Sequence, residues 1–193
     1  MKFCLATHNK HKVIEFKRIL EPLGIEIVTP NIPDVEETGS TFLENAILKA
    51  KSAYIATGLP SIADDSGLSV DFLNGAPGIF SARFSGEDGN DQKNIEKLLN
   101  LMEDVPEEKR GARFICTIAL ADQNGIISAE GTCEGRIATK AKGSNGFGYD
   151  PVFISKIGCF GELPSGKKDS ISHRAVALQN FINKLKETGY VNK

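Results

Sequence analysis

Phe3-Cys4-Leu5-Ala6-Thr7-His8-Asn9-Lys10-His11-Lys12-Val13 sets the fold class, because four apolar residues hand over to a polar loop and then to a helical pattern. Val13, Phe16, Ile19, Leu20 and Leu23 recur at three- and four-residue spacings, and Gly24 stops the pattern. Residues 25–28 then give a second short apolar run. A strand, a crossover helix and another strand form a β-α-β unit, the signature of an α/β protein.

Further along, Thr41-Phe42-Leu43-Glu44 carries a capping-box pattern, in which the threonine hydroxyl and the glutamate each satisfy the other's exposed amide. The predicted helix behind it places Leu43, Ala46, Ile47, Ala50 and Tyr54 on one face and ends at Gly58. Residues 61–63 read as a short strand that runs into Asp64-Asp65-Ser66-Gly67, with 68–70 extended beyond. Residues 90–102 form another amphipathic helix. Residues 113–121 and 126–138 make a hairpin joined by Asp122-Gln123-Asn124-Gly125. A glycine-rich loop follows over 143–150, and a helix over about 173–187 closes the chain. Hairpin and parallel-type connections together predict a central mixed β-sheet flanked by helices.

The bulk composition bounds the function. The 193 residues fit a single domain over 1–193 with a real core, and 40% hydrophobic and 25% charged residues describe an ordinary globular chain. A net charge of −2 argues against nucleic acid as a partner, though a few local lysines suffice for a small anion. Cys4, Cys116, Cys133 and Cys159 have no metal or redox spacing and read as reduced, mostly buried thiols. The opening apolar run is too short for a signal peptide, and no run is long enough to cross a bilayer. The expectation is a cytoplasmic protein with no membrane partner.

Several segments carry candidate chemistry. Thr7-His8-Asn9-Lys10-His11-Lys12 lies where a strand meets a helix N-terminus, whose amides and dipole favour an anion. An ordinary capping loop accounts for the same residues. Glu36-Glu37 and Asp64-Asp65 are acidic pairs of the kind that hold magnesium, which needs only one or two carboxylates plus substrate phosphates. A solvated loop and an Asx turn are the plainer alternatives. In Gly143-Ser144-Asn145-Gly146-Phe147-Gly148-Tyr149-Asp150 the glycines admit close approach, and Phe147 and Tyr149 offer rings to a purine or, equally, to the core. In Lys168-Asp169-Ser170-Ile171-Ser172-His173-Arg174, two basic residues open a helix against its dipole, which points to a ligand in front of them. Gly161 to Lys168 has P-loop spacing, but Lys168 stands where serine or threonine should bind magnesium. No strand precedes that stretch and no helix follows it directly in this reading. His8, His11 and His173 have no zinc spacing.

Seven blocks taken together resemble a known family. They are Thr7-x-Asn9-x-x-Lys12-x-x-Glu15, Glu36-Glu37-Thr38-Gly39-x-Thr41-Phe42-x-Glu44-Asn45-Ala46, Ala63-Asp64-Asp65-Ser66-Gly67-Leu68, Ala76-Pro77-Gly78, Ser81-Ala82-Arg83, Gly146-Phe147-Gly148-Tyr149-Asp150-Pro151 and Ser172-His173-Arg174. Their order and content resemble the inosine/xanthosine triphosphate pyrophosphatase family over nearly the whole chain. The resemblance implies an elongated, two-lobed α/β fold, a nucleotide cleft and a homodimer. It implies Mg2+-dependent hydrolysis of deaminated purine nucleoside triphosphates to the monophosphate and pyrophosphate. Asp65 resembles the catalytic carboxylate, and Glu36 and Asp65 the metal ligands. Thr7, His8, Asn9, Lys10, His11, Lys12, Ser66 and Lys168 resemble triphosphate contacts; Phe147, Gly148, Tyr149, Asp150, His173 and Arg174 resemble the base and sugar pocket. A nucleotide sensor without turnover is the rival from another class. The acid set Glu36, Asp64 and Asp65 argues against it, since a pure binder gains nothing by crowding negative charge against a polyanion.

Overall fold

A computed structural model of the chain describes residues 1–86 and 89–191. Among the described residues there are seven strands: β1 (Lys2–Leu5), β2 (Glu26–Val28), β3 (Ser61–Val70), β4 (Gly111–Asp122), β5 (Gly125–Ile137), β6 (Phe153–Ser155) and β7 (Gly158–Cys159). The helices are α1 (Lys10–Leu20), α2 (Phe42–Thr57), α3 (Asp91–Leu101), α4 (Ser165–Asp169) and α5 (His173–Glu187). The strands form one sheet in the order β2-β1-β3-β4-β5-β6-β7. β1 pairs in parallel with β2 and β3, whereas β6 runs antiparallel to β5 and β7, so the sheet is mixed and the fold is α/β.

Contacts group the chain into two compact units. The first comprises Met1–Asp65, Cys116–Gly131 and Arg174–Lys193. Its strands alternate, so successive side chains leave opposite faces. Phe3, Leu5 and Ile62 pack with Phe16 of α1 and Phe181 of α5. Cys4, Ala6 and Ala63 point the other way, onto Ala46, Ala50 and Ala53 of α2. Helices α1 and α5 therefore cover one face and α2 the opposite one. The order β2-β1-β3 follows from this: the chain leaves β1 in one direction through α1 and returns past it through α2. The carboxyl end of β1, where β3 runs on beside it, is the topological switch point at which α/β sheets bind ligands.

The second unit comprises Ser66–Ile115 and Thr132–His173. Its core joins Leu98 and Met102 to Phe114, Phe153 and Phe160, with ring centroids 4.6 Å apart for Phe114–Phe153 and 5.0 Å for Phe153–Phe160. Arg110 is buried here and donates to the carbonyls of Met102, Val105, Ile137 and Ala138 at 2.6–3.1 Å. One guanidinium fork thus closes the end of α3 onto the end of β5.

The structure corrects several local expectations. Asp64-Asp65-Ser66-Gly67 is not a turn or a strand end but the middle of the ten-residue strand β3. The buried side of α2 is Asn45, Ala46, Ala50 and Ala53, while Leu43 is exposed. Thr41 caps α2 by accepting from the Glu44 amide, and the Glu44 carboxylate accepts from the amide and hydroxyl of Ser40 besides Thr41. The segment with P-loop spacing contains the five-residue helix α4, which runs across Lys167 and Lys168 themselves. It is preceded by the two-residue strand β7 and a 3-10 turn, not by the buried strand a P-loop requires.

Candidate active site

In the first unit, β1 ends opposite Ile62, where the Ala6 amide donates to the Ile62 carbonyl at 2.8 Å. β3 continues past that point, so Asp64 and Asp65 lie beyond the carboxyl end of their neighbour. Being adjacent on a strand, they take opposite faces. Asp64 Oδ2 meets Lys12 Nζ of α1 at 3.0 Å and Arg174 Nη2 of α5 at 3.2 Å. Asp65 turns toward α2, where Oδ1 accepts from Lys49 Nζ at 3.1 Å and Oδ2 from Asn45 Nδ2 at 3.2 Å.

The acidic segment before α2 is fastened to the same helix. Asn45 Oδ1 accepts from the Gly39 amide at 2.8 Å while its Nδ2 holds Asp65. A Cβ on Gly39 would lie 2.6 Å from Asn45 Oδ1 and 2.7 Å from Glu44 Cβ, so only glycine allows this approach. The tether brings Glu37 Oε1 to 2.6 Å from Lys49 Nζ. Two carboxylates, Glu37 and Asp65, thus converge on one ammonium. Glu36 is exposed, one residue away on this segment.

The electrostatics separate the two aspartates. Burial alone would raise the pKa of Asp64, but Lys12 and Arg174 overcome it and hold the carboxyl well below the usual range. Burial also dominates at Asp65; Lys49 opposes it and the Glu37 charge reinforces it, and the result is a pKa raised above the ordinary aspartate value. Lys49 loses some basicity to burial yet ends above its ordinary value through Asp65, Asp64 and Glu37. Cys116, with its thiol 3.9 Å from Asp64, is pushed up to about 12 by burial and then by that carboxylate, which leaves it inert.

Other predicted residues of this unit are placed as follows. Asn9 caps α1, accepting from the amides of His11 at 2.9 Å and Lys12 at 3.3 Å, and its own amide donates to Thr7 Oγ1 at 3.2 Å. The amides of His11 and Lys12 are thereby spent on the cap. His8 Nε2 lies 3.0 Å from Asp34, and His8 and Lys10 are exposed. Arg174 is buried, with Nη1 donating to Glu15 at 2.7 Å and Nε and Nη2 directed at Asp64.

In the second unit, Asp150 Oδ2 accepts from the Phe147 amide at 2.9 Å and from Lys168 Nζ at 2.5 Å. A Cβ on Gly146 would fall 1.9 Å from that carboxylate, and Gly146 has a φ of +78°, so the loop closes over Asp150 only with glycine there. Lys168 Nζ sits 4.8 Å from the Phe147 ring centroid and is otherwise buried. The Gly148 amide donates to Asp91 at 2.7 Å. Tyr149 lies in the core with its hydroxyl on the Ser81 carbonyl at 2.8 Å, so of the two aromatics Phe147 alone keeps a partly open ring. The His173 ring stacks on Phe114 at 4.7 Å. Ser66, the first residue of this unit, is partly exposed on β3.

Asn45, Lys49 and Glu37 were not singled out individually from the sequence, and Glu15 was given no role. The detectable signal was a polar pair four residues apart, Asn45 and Lys49, on a helix face otherwise made of alanines.

Comparison with known proteins identifies the family. The Ham1 family model matches residues 3–184. The dITP/XTP pyrophosphatase of Desulforamulus reducens is 52% identical over 192 residues, covering 96% of each chain. That of Vibrio cholerae serotype O1 is 48% identical over 194 residues, covering 96% of this chain and 97% of its own. A HAM1 protein from Coxiella burnetii superposes with a TM-score of 0.89 at 42% identity, over 97% of this chain and 99% of that one. The Staphylococcus aureus Ham1 protein gives 0.84 at 40% identity over 98% of both chains. With its sequence matched almost end to end and its fold shared with these structures, the chain belongs to the Ham1 family.

Proposed function

We propose that this chain is a nucleoside-triphosphate diphosphatase that hydrolyses deaminated purine nucleotides (ITP, dITP and XTP) to the monophosphate and pyrophosphate. Relatives about half identical over nearly their full length carry the name dITP/XTP pyrophosphatase. The observation that carries the chemistry is Asp65, a carboxylate with raised pKa beyond the end of β1, beside a second acid and a lysine.

Among the described residues, no three histidine, cysteine, aspartate or glutamate side chains group as a metal site. A phosphate-bound divalent ion needs fewer, because substrate oxygens and water complete its shell. Glu37 and Asp65 already share one cation, the Lys49 ammonium, so the donors suit a hard positive ion. Asp65 would hold magnesium together with the Glu36–Glu37 pair. Such an ion neutralises phosphate charge and lowers the pKa of bound water.

The chain's own groups do the rest. Asp65 takes the proton of the water that attacks the α-phosphorus; the new P–O bond forms as the bond to pyrophosphate breaks. Lys12 takes up charge on the leaving group, and Thr7, His8, Asn9, Lys10, His11, Ser66 and Lys168 keep their implied triphosphate roles. Phe147, Gly148, Tyr149, Asp150, His173 and Arg174 keep the base and sugar. Tyr149 and Asp150 serve it by shaping the loop that presents Phe147. Hypoxanthine and xanthine present an acceptor at position six where adenine presents a donor. Donors there mismatch adenine, which gives discrimination on the order of 10⁴. Magnesium as the ion, a homodimer as the assembly and the cytoplasm as the compartment belong to the same proposal. A panel of ITP, dITP, XTP, GTP and ATP, with and without magnesium, tests it. Magnesium-dependent pyrophosphate release from the first three supports it; equal rates on ATP, or no release from ITP, overturn it.

A further inference from the structure

Asp64 and Asp65 are neighbours in sequence, yet β3 sends them to different helices. Asp64 is completely enclosed. Its Oδ2 atom lies 3.0 Å from Lys12 Nζ, 3.2 Å from Arg174 Nη2 and 3.4 Å from Arg174 Nε. Lys12 is the third residue of α1 and Arg174 the second of α5. A cation in the first turn of a helix is opposed by the helix dipole. One buried carboxylate aimed at both first turns offsets that repulsion twice. Glu15 at 2.7 Å grips the other edge of the Arg174 guanidinium and completes a chain from Glu15 to Arg174, Asp64 and Lys12.

We propose that Asp64 is a positioning residue: its buried carboxylate is the fixed anion that holds the Lys12 ammonium and the Arg174 guanidinium in place for a nucleoside triphosphate, while Asp65 alone faces the reacting water. This rests on the proposed function and divides its acid pair into two separate jobs. A lock serving the fold alone would enclose all its members. The Lys12 side chain is instead 16% exposed, against 2% for Arg174 and 0% for Asp64, so of the three groups joined at this carboxylate Lys12 is the one solvent still reaches. Arg174, 2% exposed, is the inner pillar, oriented by acids at both edges before any base arrives.

The test compares Asp64→Asn, Lys12→Met and the double variant with the wild type, using ITP turnover with magnesium and, separately, calorimetric binding of inorganic tripolyphosphate. Asp64→Asn is expected to raise KM for ITP and weaken tripolyphosphate by about tenfold, as for loss of one charge-assisted contact, and to lower kcat as well, because the Lys12 it positions also takes up charge on the leaving group. The double variant should be no worse than the poorer single, because both changes remove the same contact. Unchanged KM and tripolyphosphate affinity in a folded Asp64→Asn protein, or additive losses in the double variant, overturn the proposal. Should Asp64→Asn not fold, the wild-type Lys12 ammonium resonance, assigned through Lys12→Met, decides: it must shift when tripolyphosphate is added, and an unmoved signal sinks the idea. A wild type that releases no pyrophosphate from ITP would instead defeat the parent function, so the two failures are distinguishable.

Discussion

Replacing Asp65 with asparagine separates catalysis from stability. The asparagine keeps the shape and the contact with Asn45, while Lys49 retains Glu37 at 2.6 Å. What disappears is the negative charge, the ability to accept a proton and the 3.1 Å contact with Lys49, since an amide that accepts from Asn45 turns its own N–H groups toward the ammonium. A positioned general base is worth about 10²–10⁴ in rate, so kcat for ITP should fall by that factor, about 3–5 kcal/mol of barrier. Stability should go the other way. The folded state binds a proton at Asp65 more tightly than the unfolded chain does, because burial outweighs the help of Lys49. Ionisation of this carboxyl therefore weakens the fold as pH rises from the unfolded aspartate value through the raised folded one, and above that window the charge is a cost. Asp65→Asn removes that cost together with the Lys49 contact, so its unfolding free energy from urea should stay within about 1 kcal/mol of the wild type. Pyrophosphate release and equilibrium urea unfolding on the same preparations measure both. Turnover within about threefold of wild type, or a stability loss of about 2 kcal/mol, would refute the assignment.

Asp64 has the opposite sign. Its pKa is held down in the fold, so its contribution is present above the unfolded value of about 4 and is lost as pH falls through the folded value well below that. Asp64→Asn should cost about 3–5 kcal/mol at neutral pH, a gap in unfolding free energy that narrows only in acid; a gap independent of pH contradicts the ion-pair account. Lys49→Met removes the cation between Glu37 and Asp65 and should move the acid limb of kcat/KM to higher pH; a shift to lower pH would rule out its influence on Asp65. Arg110→Met withdraws the side-chain donor that four backbone carbonyls share and should cost about 3 kcal/mol or more by urea unfolding, with KM for ITP unchanged in the folded protein.

Much of the architecture was legible in the sequence for reasons of period. The strand-helix-strand opening, the hairpin around Asp122 to Gly125 and the closing helix His173–Glu187 all carry patterns that local physics enforces. β3 was harder. Aspartate and glycine are poor strand formers, so Asp64-Asp65-Ser66-Gly67 reads as a break. Only the lysines and arginine brought by α1, α2 and α5, from distant sequence, make a carboxylate pair acceptable inside a strand. β6 and β7 are too short for any period to register. In the site, the ordered motifs named Asp65, Lys12 and Arg174, but not that Asp64 and Asp65 face apart. That division is a consequence of strand alternation and becomes visible once β3 is known to be continuous. Asn45 and Lys49 stand out in the sequence only as a polar pair on the alanine face of α2, which does not say what they hold. Their meaning comes from the Gly39 approach that folds the acidic segment onto α2.

The most direct measurement follows the oxygen. Hydrolysis of ITP in ¹⁸O-labelled water with magnesium, read by mass spectrometry, reports which phosphorus the water attacks. Attack at the α-phosphorus places the label in inosine monophosphate and leaves pyrophosphate unlabelled. Label in pyrophosphate, or release of the diphosphate with inorganic phosphate, would contradict the proposed reaction.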